Sequence, residues 1–317
     1  MLQYLVILLD NKSVSYCYHS TSAHKERKLM PLETLKAGIL FAMKENLNIQ
    51  FVYPDYELPE DYLSTIDTID HIDIAPCGCG KKDVVVTDKL SDGMEGGINV
   101  VLKTTLQDLT DNLIDTKKLL HRIPRLNLLV SDIYSQDDKG FNRYKESLES
   151  LADELAEIYL YGGRTQLNVL TDRLSLSEMH NCGAGDSNLT LAPNGQFYVC
   201  PAFYYDSPED SVGSIDNGVA IRNPQLYKLS HAPLCRWCDA YHCRRCVWLN
   251  LKQTMDVNTP SHQQCVAAHI ERNASRRLLL KLREHGMGNN FEEIKEINYL
   301  DPLNKLEQWK LEKLLDR

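Results

Sequence analysis

Hydrophobic and polar positions along the first half of the chain switch repeatedly between two periods, one suited to strands and one to helices. "LQYLVILLD" is a continuous apolar run of the kind a strand buried on both faces shows. Pro31 then opens "PLETLKAGILFAMKENL", where Leu32, Leu35, Ile39 and Met43 recur near helical spacing. "NIQFVYP" predicts the next strand and "PEDYLSTIDTI" a short helix. "HIDIAP" and "DVVVTD" predict further strands, followed by the glycine-rich turn "SDGMEGG". "INVVLKTT", "LTDNLIDTKKLLHRI" and "RLNLLVSDI" make another strand–helix–strand unit. "FNRYKESLESLADELAEIYLYGG" is a long helix stopped at Gly162, and "TQLNVLTDRL" reads as a last strand.

Repeated βα units imply a parallel sheet with helices outside it, either open or curled into a partial barrel. Ligands in such folds sit beyond the carboxyl ends of the strands. "SVSYCYHS" stands at that edge after the first strand, and "APCGCGKK", with Cys77 and Cys79, follows a later one. From Cys182 the pattern breaks into short, turn-rich pieces, with "LSLSEMHNCG" as the boundary. "NLTLAPNGQFYVCPA" predicts a hairpin, Asn194-Gly195 supplying the positive φ angles of a primed turn. "ERNASRRLLLKLREHG" predicts an amphipathic helix stopped by Gly286, with Arg272, Arg276, Arg277, Lys281 and Arg283 toward its polar side. "DPLNKLEQWKLEKLLDR" predicts a closing helix packed on the domain.

At 317 residues, 43% hydrophobic and 25% charged, the chain is that of a soluble globular protein able to bury a sizeable core. Its longest apolar run is far shorter than the roughly 20 residues of a membrane span, and Asp10 follows it without a small-residue cleavage site. The expectation is a cytoplasmic protein with no membrane contact. A net charge of -9 argues against nucleic acid as a partner. Phosphate-loop, G-x-S-x-G, H-E-x-x-H and dinucleotide signatures are absent from the sequence.

Composition sharpens at the cysteines. Ten thiols in a reducing compartment point to metal or redox chemistry before disulfides. Cys17, Cys77 and Cys79 are scattered, whereas Cys182, Cys200, Cys235, Cys238, Cys243, Cys246 and Cys265 crowd into one segment. A C-x-x-C pair lets two thiolates serve one site from a tight loop whose amides face the sulfurs. Cys235/Cys238 and Cys243/Cys246 are two such pairs. A tetrahedral site takes four ligands, so the seven thiols suggest two centres; structural zinc with spare thiols is the simpler alternative.

"CGAGDSNLTLAPNGQFYVCPAF", "CRWCDAYHCRRC" and Cys265 together resemble the SPASM domain, the carboxyl-terminal extension of radical S-adenosylmethionine enzymes that modify ribosomal peptides. Cys182, Gly195, Cys200, Cys235, Cys238, Cys243, Cys246 and Cys265 fill its positions, though the two inner gaps of the four-cysteine knot are each one residue short. The resemblance implies auxiliary [4Fe-4S] clusters. Cys235, Cys238, Cys243 and Cys265 would hold one, and Cys182, Cys200 and Cys246 a second. His180, His242, Cys77 and Cys79 are the candidates for that second cluster's missing ligand.

Laid against the family's C-N-x-x-C-x-Y-C-Y loop, "DNKSVSYCY" matches at Asn11, Tyr16, Cys17 and Tyr18, while Asp10 and Val14 replace the first two cysteines. A lone thiolate does not hold a cubane, and "FVYPDYELPE" stands where a glycine-rich turn should meet the methionine moiety. The resemblance therefore implies a degenerate loop that neither binds nor cleaves S-adenosylmethionine. The pattern is most similar to the CXXX repeat peptide maturase family. That likeness implies a degenerate partial (β/α) barrel over 1–178, a SPASM-like cysteine-rich domain over 179–270 and a helical extension over 271–317. It further implies a maturation component that binds a ribosomal precursor peptide with cysteine repeats, beside a separate radical S-adenosylmethionine enzyme. A zinc-stabilised binding or scaffold protein without redox activity is the competing reading.

Overall fold

A computed structural model describes residues 2–21, 26–80, 82–90, 97–179 and 182–304. All but the last residue of the turn predicted over 91–97, His180 and most of the closing helix (305–317) lie outside the described residues.

The strands are β1 (Tyr4–Leu8), β2 (Asn48–Val52), β3 (His71–Pro76), β4 (Val84–Thr87), β5 (Asn99–Thr104), β6 (Arg125–Val130) and β7 (Gln166–Leu167). They pair in parallel and in chain order, so every connection returns on the same side, as in a wound βα barrel. A hairpin from the cysteine-rich part, β8 (Asn188–Leu191) and β9 (Phe197–Tyr198), extends the same sheet past β1. There β8 runs parallel to β1 from Tyr4↔Asn188 to Ile7↔Leu191. The sheet thus has nine strands.

Burial on both faces explains the unbroken apolar run of β1. Leu5, Ile7 and Leu9 point outward onto Leu35, Ile39 and Ala42 of helix α1 (Leu32–Lys44). Val6 and Leu8 point inward, joining Val52, Ile74, Val86 and Val101 beneath Tyr198, Phe203, Tyr204, Tyr205 and Val247. Met43, placed by spacing on the buried face of α1, is instead 60% exposed; Gly38 lies inward with Leu35, Ile39 and Ala42 and narrows that face.

Helix α2 (Glu60–Ile66) follows β2. The single helix expected after β5 is two, α3 (Leu106–Asp111) and α4 (Leu113–Leu120), broken at Asn112. The long helix is α5 (Asp138–Leu160), its Asp137 cap accepting from the Gly140 amide at 2.9 Å. "TQLNVLTDRL" is a two-residue strand followed by helix α6 (Asn168–Ser175). The Asn168 side chain takes over the pairing with Leu128, accepting from its amide and donating to its carbonyl, and Thr171 closes a turn onto Leu167. Short apolar runs satisfy both periods, and here side-chain capture of the strand partner decides for helix.

In the hairpin only Gly195 adopts a positive φ, 75°, and the Ala192 and Gln196 backbones bond across Pro193, Asn194 and Gly195. The turn is a three-residue loop with a left-handed glycine rather than the primed two-residue form expected. Helix α7 (Pro201–Asp206) follows, then a small two-stranded ribbon (Gly213–Ser214 and Gly218–Val219) and helix α8 (Val247–Thr254).

Helix α9 (His262–Glu284) runs without a break across residue 270 and packs along α5 and α6, sharing one core with Leu148, Leu151 and Leu155. Its basic residues are spoken for. Arg272 is buried against Asp239, Arg276 meets Glu296, Arg277 and Lys281 both meet Asp153, and Arg283 donates to the Phe291 carbonyl. The expected free polar stripe is a set of tethers.

Arg277 donates hydrogen bonds to Asp153 at 2.8 and 2.9 Å and holds its carboxyl down at about 2, from an ordinary 3.8. A depressed carboxylate adds stability above its unfolded value, and that stability is lost as the pH falls through the folded one. Asp153→Asn should therefore cost under about 1 kcal/mol at pH 7, the pair being exposed. It should also flatten the loss of stability between pH 3.8 and about 2 in urea titrations; an unchanged acid limb would refute the tether.

Candidate metal centres

All ten cysteines are free thiols. Eight of them line two separate pockets, four to each. Cys235, Cys238, Cys243 and Cys265 line a small pocket under α9, with Met179, Ala240, Ala268 and His269. Cys182, Cys200 and Cys246, together with Cys17, line a cavity of about 330 Å³ on the inner face of the sheet. Electrostatic coupling divides the same way. Cys243 feels Cys235 and Cys238, and Cys265 feels those same two. Cys200 feels Cys17, Cys246 and Cys182, and Cys246 feels Cys182 and Cys17.

Local backbone places each sulfur. Cys182 leads into a closed loop in which the Ser187 and Asn188 amides both donate to the Gly183 carbonyl and the Asn188 side chain donates to the Cys182 carbonyl. Gly185 has φ 76°, and a Cβ there would sit 2.6 Å from the Tyr227 ring, so glycine is required. The β8–β9 hairpin brings Cys200 opposite. In "CRRC" the two cysteines serve different pockets. Arg245, in a left-handed conformation (φ 43°), turns the chain between them, and its amide donates to the Cys243 sulfur at 3.4 Å.

Burial is the largest influence on most of these thiols and pushes them up: Cys235 to about 11, and Cys17, Cys200, Cys238, Cys243, Cys246 and Cys265 upward as well. Backbone amides pull the other way, from His19 on Cys17, Ala202 on Cys200, Ala240 on Cys238, Arg245 on Cys243 and Leu249 on Cys246. Amides aimed at sulfur suit an ionised thiolate, the form that binds metal. Cations stand beside both sets. Arg245 lies by Cys235, Arg272 and Arg173 by Cys238, and Arg244 by Cys17 and Cys182. Thiolate donors, amide support and nearby cations fit a negatively charged thiolate–metal centre in each pocket. Among the described residues no three Cys, His, Asp or Glu side chains close around a point where a single ion would sit.

Cys77 and Cys79 belong to neither pocket: Cys77 is exposed, and the Cys79 sulfur lies 3.8 Å from the Pro54 carbonyl. His242 is buried with Glu271 at 3.1 Å and the Ala268 carbonyl at 3.1 Å. His269 was missed in the sequence, although its place four residues after Cys265 on one helix was a signal. Its Nδ1–H donates to the Cys265 carbonyl at 2.8 Å, leaving Nε2 to face the Cys238 sulfur at 3.6 Å.

The loop after β1 is tied down by other means than a cluster. Asp10 is fully buried; its carboxylate accepts from the Lys12 amide at 2.7 Å and from the Tyr56 hydroxyl at 2.7 Å. The Ser13 hydroxyl donates to the Val52 carbonyl at 2.6 Å, and the Val14 amide to the Tyr53 carbonyl at 2.9 Å. Val14 packs with the inner-face core. Tyr53 and Tyr56 come from the stretch that carries tyrosines where glycines were expected, so both departures from the family loop meet in one set of bonds.

No family model matches the sequence, and no curated protein matches it. Solved structures do share the fold. Native anSMEcpe with bound AdoMet and Cp18Cys peptide aligns over 90% of this chain and 100% of its own, at 14% identity and TM-score 0.62. Native anSMEcpe with bound AdoMet aligns over 89% and 99%, at 14% identity and TM-score 0.59. Streptococcus suis SuiB bound to precursor peptide SuiA aligns over 84% and 76%, at 12% identity and TM-score 0.50. The chain therefore shares the fold of these proteins, a largely parallel sheet with helices outside it followed by a cysteine-rich region. Among the described residues no helix is long and apolar enough to cross a membrane.

The partition makes a direct prediction. Cys238→Ala should lower bound metal to about half and leave the inner-face centre intact, and Cys200→Ala the converse. Metal analysis with spectroscopy of each variant checks it; loss of both signals from either substitution alone would break the division.

Proposed function

We propose that this protein is a maturation component for ribosomally made peptides: it binds a precursor with cysteine repeats and carries two iron–sulfur centres without cleaving S-adenosylmethionine. The observation that carries the reading is the sorting of buried thiols into two separate pockets. Four cysteines lining one pocket suit a multi-iron core; one zinc ion would draw four thiolates to about 2.3 Å from a single point, and among the described residues no such point is formed. The neighbours seen with a Cp18Cys peptide and with SuiA support a peptide as the bound partner. The part over 179–270 acts as the SPASM-like module, its hairpin joined to the sheet of 1–178, and α9 braces both as it leads into the extension over 271–317.

The cofactor loop supports the non-cleaving role. Asp10 and Val14, standing where thiolates would be, are engaged with Tyr56, Lys12 and Tyr53. Bond-making radical chemistry then falls to a separate radical S-adenosylmethionine enzyme, which this protein would serve by holding the peptide and relaying electrons. When bound, the centres supply one-electron transfer. The chain's own residues bury the thiolates, direct amides at them and set cations beside them. Strand addition of the peptide has little room, since β7 has two residues and the outer edge of β9 is taken by the Val212 amide and the Gln196–Ser214 bridge. The inner cavity is the better place for peptide side chains. Its far wall carries Arg125, paired with Asp172 at 2.8 and 3.0 Å, and Asn127.

Protein purified without oxygen should hold about eight irons and eight sulfides per chain, the content of two cubanes. With S-adenosylmethionine and a strong reductant it should release no 5′-deoxyadenosine, and it should bind a cysteine-repeat precursor peptide. Stoichiometric zinc without iron would favour the scaffold reading, and 5′-deoxyadenosine formation would overturn the non-cleaving role.

A further inference from the structure

We infer that Cys17, the one cysteine left in the loop after β1, is the fourth ligand of the inner-face centre, with Cys182, Cys200 and Cys246, and that His19 positions it. This rests on the metal-centre reading above and goes beyond it, because it closes a centre that otherwise keeps an open corner.

The geometry is that of a shared wall. Cys17 lines the same cavity as the other three thiols, and the chain around it is folded inward: Val14 and Tyr16 pack with the inner-face core that also holds Cys182 and Cys200. The Cys17 sulfur is supported as the ligands of both pockets are, by a backbone amide two residues on. The His19 Nδ1 lies 2.8 Å from the sulfur. His19 is buried, stacked on Tyr205 at 5.0 Å, and its Nε2 has no hydrogen-bond partner among the described residues. With the proton on Nδ1, His19 donates to a Cys17 thiolate, and only a lone pair is left without a partner at Nε2. With the proton on Nε2, a buried N–H would be stranded. The arrangement favours sulfur as the acceptor, which is its role as a metal-bound thiolate.

Charge supports the assignment. Arg244 stands beside Tyr18, Cys17 and Cys182. Lys103 reaches across from β5 to the Ser15 hydroxyl and the His19 carbonyl, both at 2.7 Å, and holds this turn against the sheet. Two cations gathered at the Cys17 turn match a four-thiolate centre, which keeps a net negative charge. The consequence is functional: a centre with four protein thiolates has no corner for a substrate cysteine, so its part is electron relay or support rather than ligation of the peptide. The centre also ties the barrel loop covalently to the cysteine-rich region through metal.

The test uses the full chain purified without oxygen, with metal and sulfide analysis, electron paramagnetic resonance and redox titration. In Cys17→Ala, bound iron should fall by between about one-eighth, a corner iron, and about one-half, a whole cubane. The signal that Cys200→Ala removes should change, and the one that Cys238→Ala removes should stay. His19→Gln should keep the iron and move the midpoint potential of that one centre. Full iron with both signals unchanged in Cys17→Ala would overturn the assignment while leaving the two-centre reading standing; metal-free wild-type protein would overturn both. Should Cys17→Ala not fold, alkylation of loaded wild-type protein decides. Cys17 should stay blocked with Cys182, Cys200 and Cys246 until the metal is stripped, and selective reaction of Cys17 before then would refute its ligation.

Discussion

A buried thiolate is tolerable only beside positive charge, and four of them together demand it. Two thiolates about 6 Å apart repel by about 3 kcal/mol at an effective dielectric of about 20, so a set of four repels itself by on the order of 15 kcal/mol. Burial pushes these groups toward the neutral thiol, as seen at Cys200, Cys243 and Cys246. Yet the chain sends amides and guanidinium groups at the same sulfurs, which serves only an ionised form. A metal core reconciles the two tendencies. The surrounding architecture then reads as the means of delivering eight sulfurs from six short stretches to two places.

The "CRRC" turn shows how closely the two places are linked. Its first cysteine goes to the pocket under α9 and its second to the inner face. The left-handed Arg245 makes the change of direction, and Arg244 and Arg245 stand one beside each set. Arg272, fully buried on α9 and held to Asp239 by two bonds of 2.7 Å, fixes that region to the long-helix core. On the other side, β8 joins the cysteine-rich region to β1 by backbone pairing. The barrel and the thiol-bearing region therefore share a sheet and a helix. The loop between them, stitched by Asp10, Ser13 and Tyr56, keeps its form without a cluster of its own.

Much of this was legible in the sequence. The two-sided burial of "YLVIL" and the long helix ending at Gly162 followed from period and spacing, whereas the split of the seven clustered thiols into two groups was implied only by the likeness to the SPASM domain. What was not legible depended on side chains acting at a distance. Asn168 captures Leu128 and turns an apparent strand into α6. Arg272 pairs with a residue 33 positions away and so leaves the polar face where periodicity had put it. Cys17 looked like the remnant of a lost site because its loop was judged alone; only folding shows that the loop dips onto the wall carrying Cys182, Cys200 and Cys246. "YCYHS" did hold one clue, a histidine two residues beyond the thiol.

Native mass spectrometry of the oxygen-free protein tests the central claim most directly, since it weighs the intact chain with whatever its thiols hold. The account predicts a single species heavier than the bare chain by two iron–sulfur cubanes. A chain carrying only zinc ions, or one lighter by the hydrogens lost to disulfides among these cysteines, would contradict it.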